Sequence, residues 1–210
     1  MRRIIPSIAS ANPLCLEREL ERISTLPSLH LDIEDGNFIP NITFGMKTVG
    51  AIAGRWQGQL DAHLMVTNPE DYLDELIDLG VSAIAFHIES VDYPLILLER
   101  IRSRGCLAGI ALNPATWPER LSYLAGHLDY CLVMTCEPDG RGQMFLHHMV
   151  PKIKALREML PADKSLWVDG GIGVAEAKLV FEAGADTAIM GRAVFGADDP
   201  VNFVKQIINL

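Results

Sequence analysis

The chain has 210 residues, of which 49% are hydrophobic and 21% charged, and its formal net charge is −9. This length and apolar content suit one domain spanning 1–210, and no Pro/Gly/Ser-rich or low-complexity stretch indicates a linker. The acidic balance and the lack of a basic stripe argue against nucleic acid and anionic membranes as partners. An anionic ligand would therefore have to be bound by a few local groups.

The apolar runs are too short for a transmembrane helix. The N-terminal segment 1–14 carries two arginines before Ile4 and Ile5, but Pro6 and Asn12 interrupt its apolar part, so it does not fit a signal peptide. The four cysteines form no CxxC pair, which favours buried thiols in a reducing compartment. We therefore expect a cytoplasmic protein.

Short β-like runs alternate with helix-like segments along the chain. The predicted strands are 3–8, 28–33, 59–65, 82–88, 106–112, 129–135, 165–171 and 186–191. The predicted helices are 14–25, 46–54, 69–80, 93–105, 116–126, 149–160, 173–184 and 199–210, and several begin near Pro and end at Gly. Eight successive βαβ units predict a single (β/α)8 TIM barrel of the α/β class. A doubly wound sheet of six strands is the alternative, but it would leave two units unused.

Titratable side chains recur at the C-terminal ends of the predicted strands, where the active site of such a barrel lies. Alternate residues of a strand point to one side, so each set below shares a face. The residues are His30, Asp32 and Glu34 of the second strand, Asp61, His63 and Met65 of the third, His87 and Glu89 of the fourth, and Asp169 of the seventh.

Two histidines and two aspartates from three strands are enough for a divalent metal site. Imidazole and carboxylate ligands suit Zn, Fe(II), Mn or Co, and the sequence does not choose among them. Each residue taken alone also has a structural interpretation. A strand histidine is often a buried, hydrogen-bonded side chain, and an aspartate before Gly-Gly is often a turn residue.

Glycines and arginines in the later loops predict a phosphate site. Barrels often bind phosphate with the loops after strands 7 and 8. Glycine lets backbone N–H groups approach an anion, and arginine gives bidentate recognition. The alternative is that these loops are ordinary turns. The residues are Gly140, Arg141 and Gly142 after strand 6, Gly170 and Gly171 after strand 7, and Gly191 and Arg192 after strand 8.

The chain resembles the ribulose-phosphate 3-epimerase family over nearly its whole length. The matching segments are 6–11, 29–45, 60–72, 109–116, 132–138, 142–145, 167–172 and 190–195, in the family's order and spacing. The resemblance implies a homo-oligomeric barrel that inverts one hydroxyl-bearing carbon of a ketose phosphate, with one divalent metal cation as cofactor. Its default substrate pair is D-ribulose 5-phosphate and D-xylulose 5-phosphate.

The resemblance also implies roles, residue by residue. It implies that His30, Asp32, His63 and Asp169 are metal ligands, that Asp32 and Asp169 are the acid/base pair, and that Ser7 and His63 contact the substrate. Met65 and Met134 would line the cavity with apolar surface, and Asp61 would orient an imidazole. The phosphate would lie against Gly142, Gly170, Gly171, Gly191 and Arg192.

Three departures from the family pattern bear on the substrate. The family usually has Met at Glu34, Gly-Phe-Gly-Gly where Asp139-Gly140-Arg141-Gly142 stands, and Ser at Arg192. We expect Glu34 and Arg141 to contact the substrate as well. The reaction type is unaffected, because both aspartates and both histidines are present, but another pentulose or hexulose phosphate remains an alternative substrate.

Other classes of protein with this fold fit less well. A sugar-phosphate decarboxylase would have Lys where Glu34 stands, and a Schiff-base aldolase would have an inward Lys at a strand end. The lysines here lie in predicted helices or at strand starts. A non-catalytic sugar-phosphate sensor would be expected to lack an acid/base carboxylate, and both are present.

Overall fold

A computed structural model of the chain describes residues 2–137 and 143–209. The predicted phosphate-loop residues Gly140, Arg141 and Gly142 lie outside this part. The eight strands are β1 (Arg3–Pro6), β2 (Ser28–Glu34), β3 (Gln59–Met65), β4 (Ala83–His87), β5 (Leu107–Leu112), β6 (Tyr130–Met134), β7 (Ser165–Asp169) and β8 (Thr187–Met190). They pair in parallel in the order β1-β8-β7-β6-β5-β4-β3-β2.

The sheet closes on itself between its first two strands. A parallel bridge joins Ser7, just after β1, to His30 of β2. The backbone N–H of Ser7 also donates to the carbonyl of Met190 at the end of β8, 3.2 Å away. Closure of eight parallel strands confirms the TIM barrel and excludes the doubly wound alternative.

The helices form the outer layer. They are α1 (Leu16–Arg22), α2 (Met46–Arg55), α3 (Leu73–Asp78), α4 (Pro94–Ser103), α5 (Val150–Met159), α6 (Val174–Glu182), α7 (Arg192–Phe195) and α8 (Pro200–Ile208). Proline begins α4 and α8, as the sequence predicts. In the part of the chain that the structure describes, no helix has the length and apolar character needed to cross a membrane.

The helix predicted over 116–126 is wrong. Only Pro118–Leu121 is helical, as a 3₁₀ turn, and three-residue turns continue to His127. Leu121 and Leu124 are both buried, and their spacing of three residues matches the period of these turns. The short helix α7, which has four residues, was not predicted.

Two apolar layers hold the barrel together. Outward-facing strand residues pack against the helices in the main core, while inward-facing residues form a second cluster inside the barrel. Tyr130 fills part of this interior because Gly109 faces it on the neighbouring strand. A Cβ atom at Gly109 would lie 2.7 Å or less from the tyrosine ring. The polar residues of β2, β3 and β7 lie at the opposite, C-terminal end of the barrel.

Candidate active site at the barrel mouth

Four side chains converge at the C-terminal end of the barrel. One ligand atom each from His30, Asp32, His63 and Asp169 lies within 4.8 Å of all the others. The strand register produces this group, since Asp32 of β2 pairs with His63 of β3 and His30 pairs with Asp61. All four point inward by the alternation of strand side chains.

The donor atoms suit a cation. His63 Nδ1 is buried and has no hydrogen-bond partner among the described residues. It lies 3.4 Å from Asp32 Oδ1 and 3.4 Å from Asp169 Oδ2. Ligands about 2.1 Å from one Zn-like ion stand roughly 3.0–3.4 Å apart, so the spacing and the donor types fit a divalent metal. The residues present could therefore hold such an ion.

The second imidazole is held by carboxylates on both sides. His30 Nε2 lies 3.1 Å from Asp32 Oδ1, and His30 Nδ1 forms a short hydrogen bond with Asp61 Oδ1. Asp61 thus takes the orienting position expected from the sequence. Burial alone would lower the pKa of His30, but the charges of Asp61 and Asp32 outweigh it and raise that pKa.

The second ring nitrogen of His63 contacts His87, which in turn contacts Glu89, and no specific role was predicted for either residue. His63 Nε2 lies 2.8 Å from His87 Nε2, and His87 Nδ1 lies 3.1 Å from Glu89 Oε2. Both histidines are fully buried. Burial is also the main reason that the pKa of His87 is lowered to about 4, so this imidazole is neutral at physiological pH.

The two carboxyls at the mouth have different electrostatic environments. Burial would raise the pKa of Asp32, but the charge of His30 and then the hydrogen bond from His30 outweigh it and lower the pKa. Ser7 Oγ also donates to Asp32 Oδ2. For Asp169, burial and then the charge of Asp32 raise the pKa. The environment therefore favours ionisation of Asp32 and disfavours ionisation of Asp169.

A cavity of about 380 Å³ opens above the cluster, and Glu34 is part of its wall. Glu34 is only 5% exposed, so it does not turn to solvent. Its carboxylate accepts a hydrogen bond from Asn41 Nδ2, a partner not foreseen from the sequence. Burial first, and the charge of Asp32 second, raise the pKa of Glu34 to about 7.

The opposite wall of the cavity is made by glycine-rich loops. Gly170 and Gly171 have φ of +117° and +68°, a conformation that glycine adopts readily. A Cβ atom at Gly171 would lie 2.5 Å from both Gln143 O and Phe145 N, so glycine is needed for the β6 and β7 loops to meet. Arg192 Nη2 donates to Gln143 O at 2.7 Å, which holds its guanidinium at the rim.

The cavity gathers most of the residues that the sequence singled out. His30 and His63 lie beneath it, and Arg141 and Gly142 lie outside the described residues. The predicted residues that line it are Ser7, Asp32, Glu34, Met65, Met134, Asp169, Gly170, Gly171, Gly191 and Arg192. Among the lining residues that sequence reasoning missed, those with polar or sulfur-containing side chains are Ser10, Asn41, Thr43, Cys136, Gln143 and Glu176. Most of these lie in loops, where strand periodicity gives no signal.

A (β/α)8 barrel that buries two carboxyls and two imidazoles at its mouth has the architecture of an acid/base enzyme. Residues 3–195 match the model of the ribulose-phosphate 3 epimerase family. The chain belongs to this family and is a carbohydrate epimerase, an isomerase.

Known members of the family match along nearly the whole chain. The chain is 37% identical to the ribulose-phosphate 3-epimerase, cytoplasmic isoform, of Oryza sativa subsp. japonica, over 98% of this chain and 92% of the relative. It is 36% identical to the ribulose-phosphate 3-epimerase of Methanocaldococcus jannaschii, over 99% and 90%. It is 33% identical to that of Bacillus subtilis, over 99% and 98%.

Proposed function

We propose that the chain interconverts D-ribulose 5-phosphate and D-xylulose 5-phosphate with two carboxyls, Asp32 and Asp169, one of which removes a proton from the substrate while the other delivers one. The observation that carries the proposal is the position of this pair. Both residues line one cavity, both lie 3.4 Å from the same ring nitrogen, and their environments move their pKa values in opposite directions. Environments that move the pKa values of two carboxyls apart are typical of paired acid and base groups.

Inversion next to a carbonyl needs one group to remove a proton and another to deliver one to the opposite face. Asp32, ionised, takes the proton from the substrate carbon, and the electron pair moves into an enediolate. Asp169, protonated, delivers its proton to the other face. After one turnover Asp32 is protonated and Asp169 is ionised, so the reverse reaction or exchange with solvent restores the starting state.

We further propose that His30, Asp32, His63 and Asp169 hold one divalent cation, with Zn, Fe(II), Mn and Co as candidates. A bound cation would supply the positive charge that stabilises the enediolate oxygens. The support from this chain is His63 Nδ1, which has no hydrogen-bond partner in the part of the chain that the structure describes and lies 3.4 Å from both Asp32 and Asp169. Ser7 donates to Asp32 through its Oγ–H, and Met65 and Met134 add apolar surface to the lining of the cavity.

The phosphate group of the substrate is proposed to lie against the glycine wall. There Gly170, Gly171 and Gly191 bring backbone close to the cavity, and Arg192 supplies a positive charge at its rim. Arg141 and Gly142 remain predicted contacts. The homo-oligomeric state and the cytoplasmic location also remain predictions.

A second candidate substrate is favoured by one observation. Glu34 places a carboxylate inside the cavity, hydrogen-bonded to Asn41, where the family usually has Met. A carboxylate there can accept a hydrogen bond from an additional or differently placed hydroxyl. Another pentulose or hexulose phosphate is therefore the alternative substrate.

Proton NMR in heavy water tests substrate and reaction together. The enzyme is incubated with D-ribulose 5-phosphate and with a panel of other ketose phosphates. We expect epimer formation with deuterium incorporated at the inverted carbon, fastest for D-ribulose 5-phosphate. Exchange without epimer formation, or neither with any sugar phosphate, would contradict the proposal. Metal analysis after dialysis, with His63→Ala as the comparison, tests the cation, and full activity of chelated, metal-free enzyme would overturn that part.

A further inference from the structure

A chain of hydrogen bonds runs from the mouth of the barrel to the loop after β5. His63 Nε2 contacts His87 Nε2 at 2.8 Å, and His87 Nδ1 contacts Glu89 Oε2 at 3.1 Å. Glu89 Oε1 accepts from the backbone N–H of Asn113 at 2.9 Å and from the hydroxyl of Thr116. The carbonyl of Asn113 accepts in turn from Lys152 Nζ at 2.7 Å, so both backbone polar groups of Asn113 are hydrogen-bonded.

The hydrogen bond between the two histidines holds one proton between their Nε2 atoms. Their ring centroids are 4.9 Å apart and their planes differ by 24°, so the rings meet edge to edge with the two Nε2 atoms facing each other. Two N–H groups pointing at each other at 2.8 Å would repel, and two lone pairs would leave both nitrogens unsatisfied. One ring must donate and the other must accept.

The two ends of this chain of hydrogen bonds decide which histidine ring donates to the other. The Asn113 N–H can only donate, and Glu89 Oε1 accepts from it and from the Thr116 hydroxyl. Burial would raise the pKa of Glu89, but its hydrogen bonds with His87, Thr116 and Asn113 outweigh it and lower the pKa to about 2, so Glu89 is ionised and Oε2 is also an acceptor. His87 Nδ1 must then carry a proton and donate it to Glu89. A cation bound to His63 through Nδ1 leaves the one proton of that neutral imidazole on Nε2, so His63 donates there and His87 accepts with the lone pair of its own Nε2.

We propose that His87 and Glu89 are positioning residues that keep the proton of His63 on Nε2 and leave a lone pair on Nδ1. Nδ1 lies 3.4 Å from a carboxyl oxygen of Asp32 and 3.4 Å from one of Asp169, so its lone pair would be one ligand of a cation held by these three groups. The inference rests on the cation site of the proposed function and adds the residues that set its ligand tautomer. Partners of this kind typically change metal affinity by about 10- to 100-fold.

Glu89→Gln tests the assignment with a side chain of the same shape. The Asn113 N–H selects the amide oxygen of Gln, so the amide NH₂ faces His87 Nδ1. His87 must then accept at Nδ1 and donate from Nε2. His63 accepts that hydrogen bond at its own Nε2 and therefore carries its proton on Nδ1. The order of protons along the chain reverses, and the proton on Nδ1 competes with the cation.

The readout is the affinity of the metal-free protein for Zn²⁺, measured by competition with a chromophoric chelator. We expect Glu89→Gln to weaken binding about 10- to 100-fold. Thr116→Val is the matched control, because it removes a hydrogen bond to Glu89 without reversing any donor, and its affinity should stay within about threefold of wild type. Unchanged affinity in a folded Glu89→Gln protein would overturn the proposal.

A second measurement needs no variant and covers the case in which Glu89→Gln does not fold. In the Zn²⁺-loaded wild-type protein, ¹⁵N NMR of the imidazoles should place a proton on His63 Nε2 and on His87 Nδ1. A proton on His87 Nε2 would overturn the proposal. Wild-type protein that binds no Zn²⁺ would instead remove the cation site itself, so the two failures are distinguishable.

Discussion

The two ends of the barrel interior use the same strands but hold opposite kinds of side chain. On β7, Asp169 faces the cavity at the C-terminal end, while Trp167, two residues earlier, faces the interior near the N-terminal end. Trp167 stacks on Tyr130 with ring centroids 4.3 Å apart, and Arg3 lies over its ring. Strand alternation directs both β7 side chains inward, and their position along the strand decides which end they occupy.

Because the two ends hold different side chains, we expect one end to determine activity and the other to contribute more to stability. At the mouth, like charges are buried close together, which costs folding free energy unless a ligand or a proton offsets it. At the N-terminal end, aromatic rings bury apolar surface and contribute to stability. Removing the Asp169 charge at the mouth should therefore reduce activity with little loss of stability, and substitutions at the other end should do the reverse.

The largest effect is expected from Asp32→Asn and Asp169→Asn. Each should reduce epimerisation by at least ~10²-fold, because an essential acid or base is lost. The metal-free Asp169→Asn protein should unfold at the same or a higher temperature, because the raised pKa of Asp169 means that its charge destabilises the fold. Asp32→Asn should unfold at a lower temperature, because the lowered pKa of Asp32 means that its charge stabilises the fold at neutral pH. Asp129→Asn is the matched control, since Asp129 lies near the N-terminal end, where it accepts from the Ala108 N–H at 2.9 Å. A mouth variant that keeps more than about a tenth of the activity would fall outside the mechanism.

The opposite outcome is expected for Trp167→Ala. Removing this ring should lower the free energy of unfolding by about 3–5 kcal/mol, while the folded fraction keeps its activity. Trp167→Phe is the control, because Trp167 Nε1 has no hydrogen-bond partner among the described residues and the smaller ring keeps the stack. Urea unfolding and initial rates measure the two properties. An inactive but equally stable Trp167→Ala protein would contradict the division between the ends.

Glu34 is the residue of the mouth for which we expect an effect on specificity rather than on the chemical step. Glu34→Met should leave epimerase activity measurable and raise the rate with D-ribulose 5-phosphate relative to other ketose phosphates. Glu34→Gln separates loss of charge from change of shape. The rates across the sugar-phosphate panel decide the matter. An unchanged substrate ranking would refute the specificity role, and a folded, metal-loaded but inactive Glu34→Met protein would make Glu34 catalytic.

The smallest effect is expected beside the mouth, where Asp35 joins two loops. Its carboxylate accepts from the N–H groups of Asn37, Phe38 and Thr67, each at 2.8 Å, and from the Thr67 hydroxyl. Burial would raise the pKa, but these hydrogen bonds outweigh it and lower the pKa of Asp35 from 3.8 to about 2. Asp35→Asn should therefore cost on the order of 1 kcal/mol at neutral pH.

The lowered pKa also gives the sign of the pH dependence. A carboxyl that is more acidic in the folded state stabilises the fold above its unfolded pKa, and that contribution disappears as the pH falls through about 2. The stability gap between wild type and Asp35→Asn should be constant from pH 7 to 5 and shrink below pH 4. Asp78→Asn, a change on an exposed side chain, is the control. A gap that does not change with pH would mean that the charge of Asp35 is not what stabilises the loops.

The sequence by itself determined the barrel and the inward face of its strands. Period-two alternation places His30, Asp32 and Glu34 on one face, and repeated βαβ units bring the strand ends to a common edge. These are local properties, so they can be read from neighbouring residues. The helix predicted over 116–126 failed because its buried leucines support three-residue turns as well as a helix.

Only the tertiary structure decided which residues meet across strands and loops. His63 and His87 are 24 residues apart, and their contact depends on the rotation and register of two strands. Asn41 reaches Glu34 through a loop with no repeating pattern, and Gly171 is required by the approach of the β6 loop. The distances and the burial that move the pKa values of Asp32 and Asp169 apart are likewise properties of packing, because they arise from groups on several strands at once.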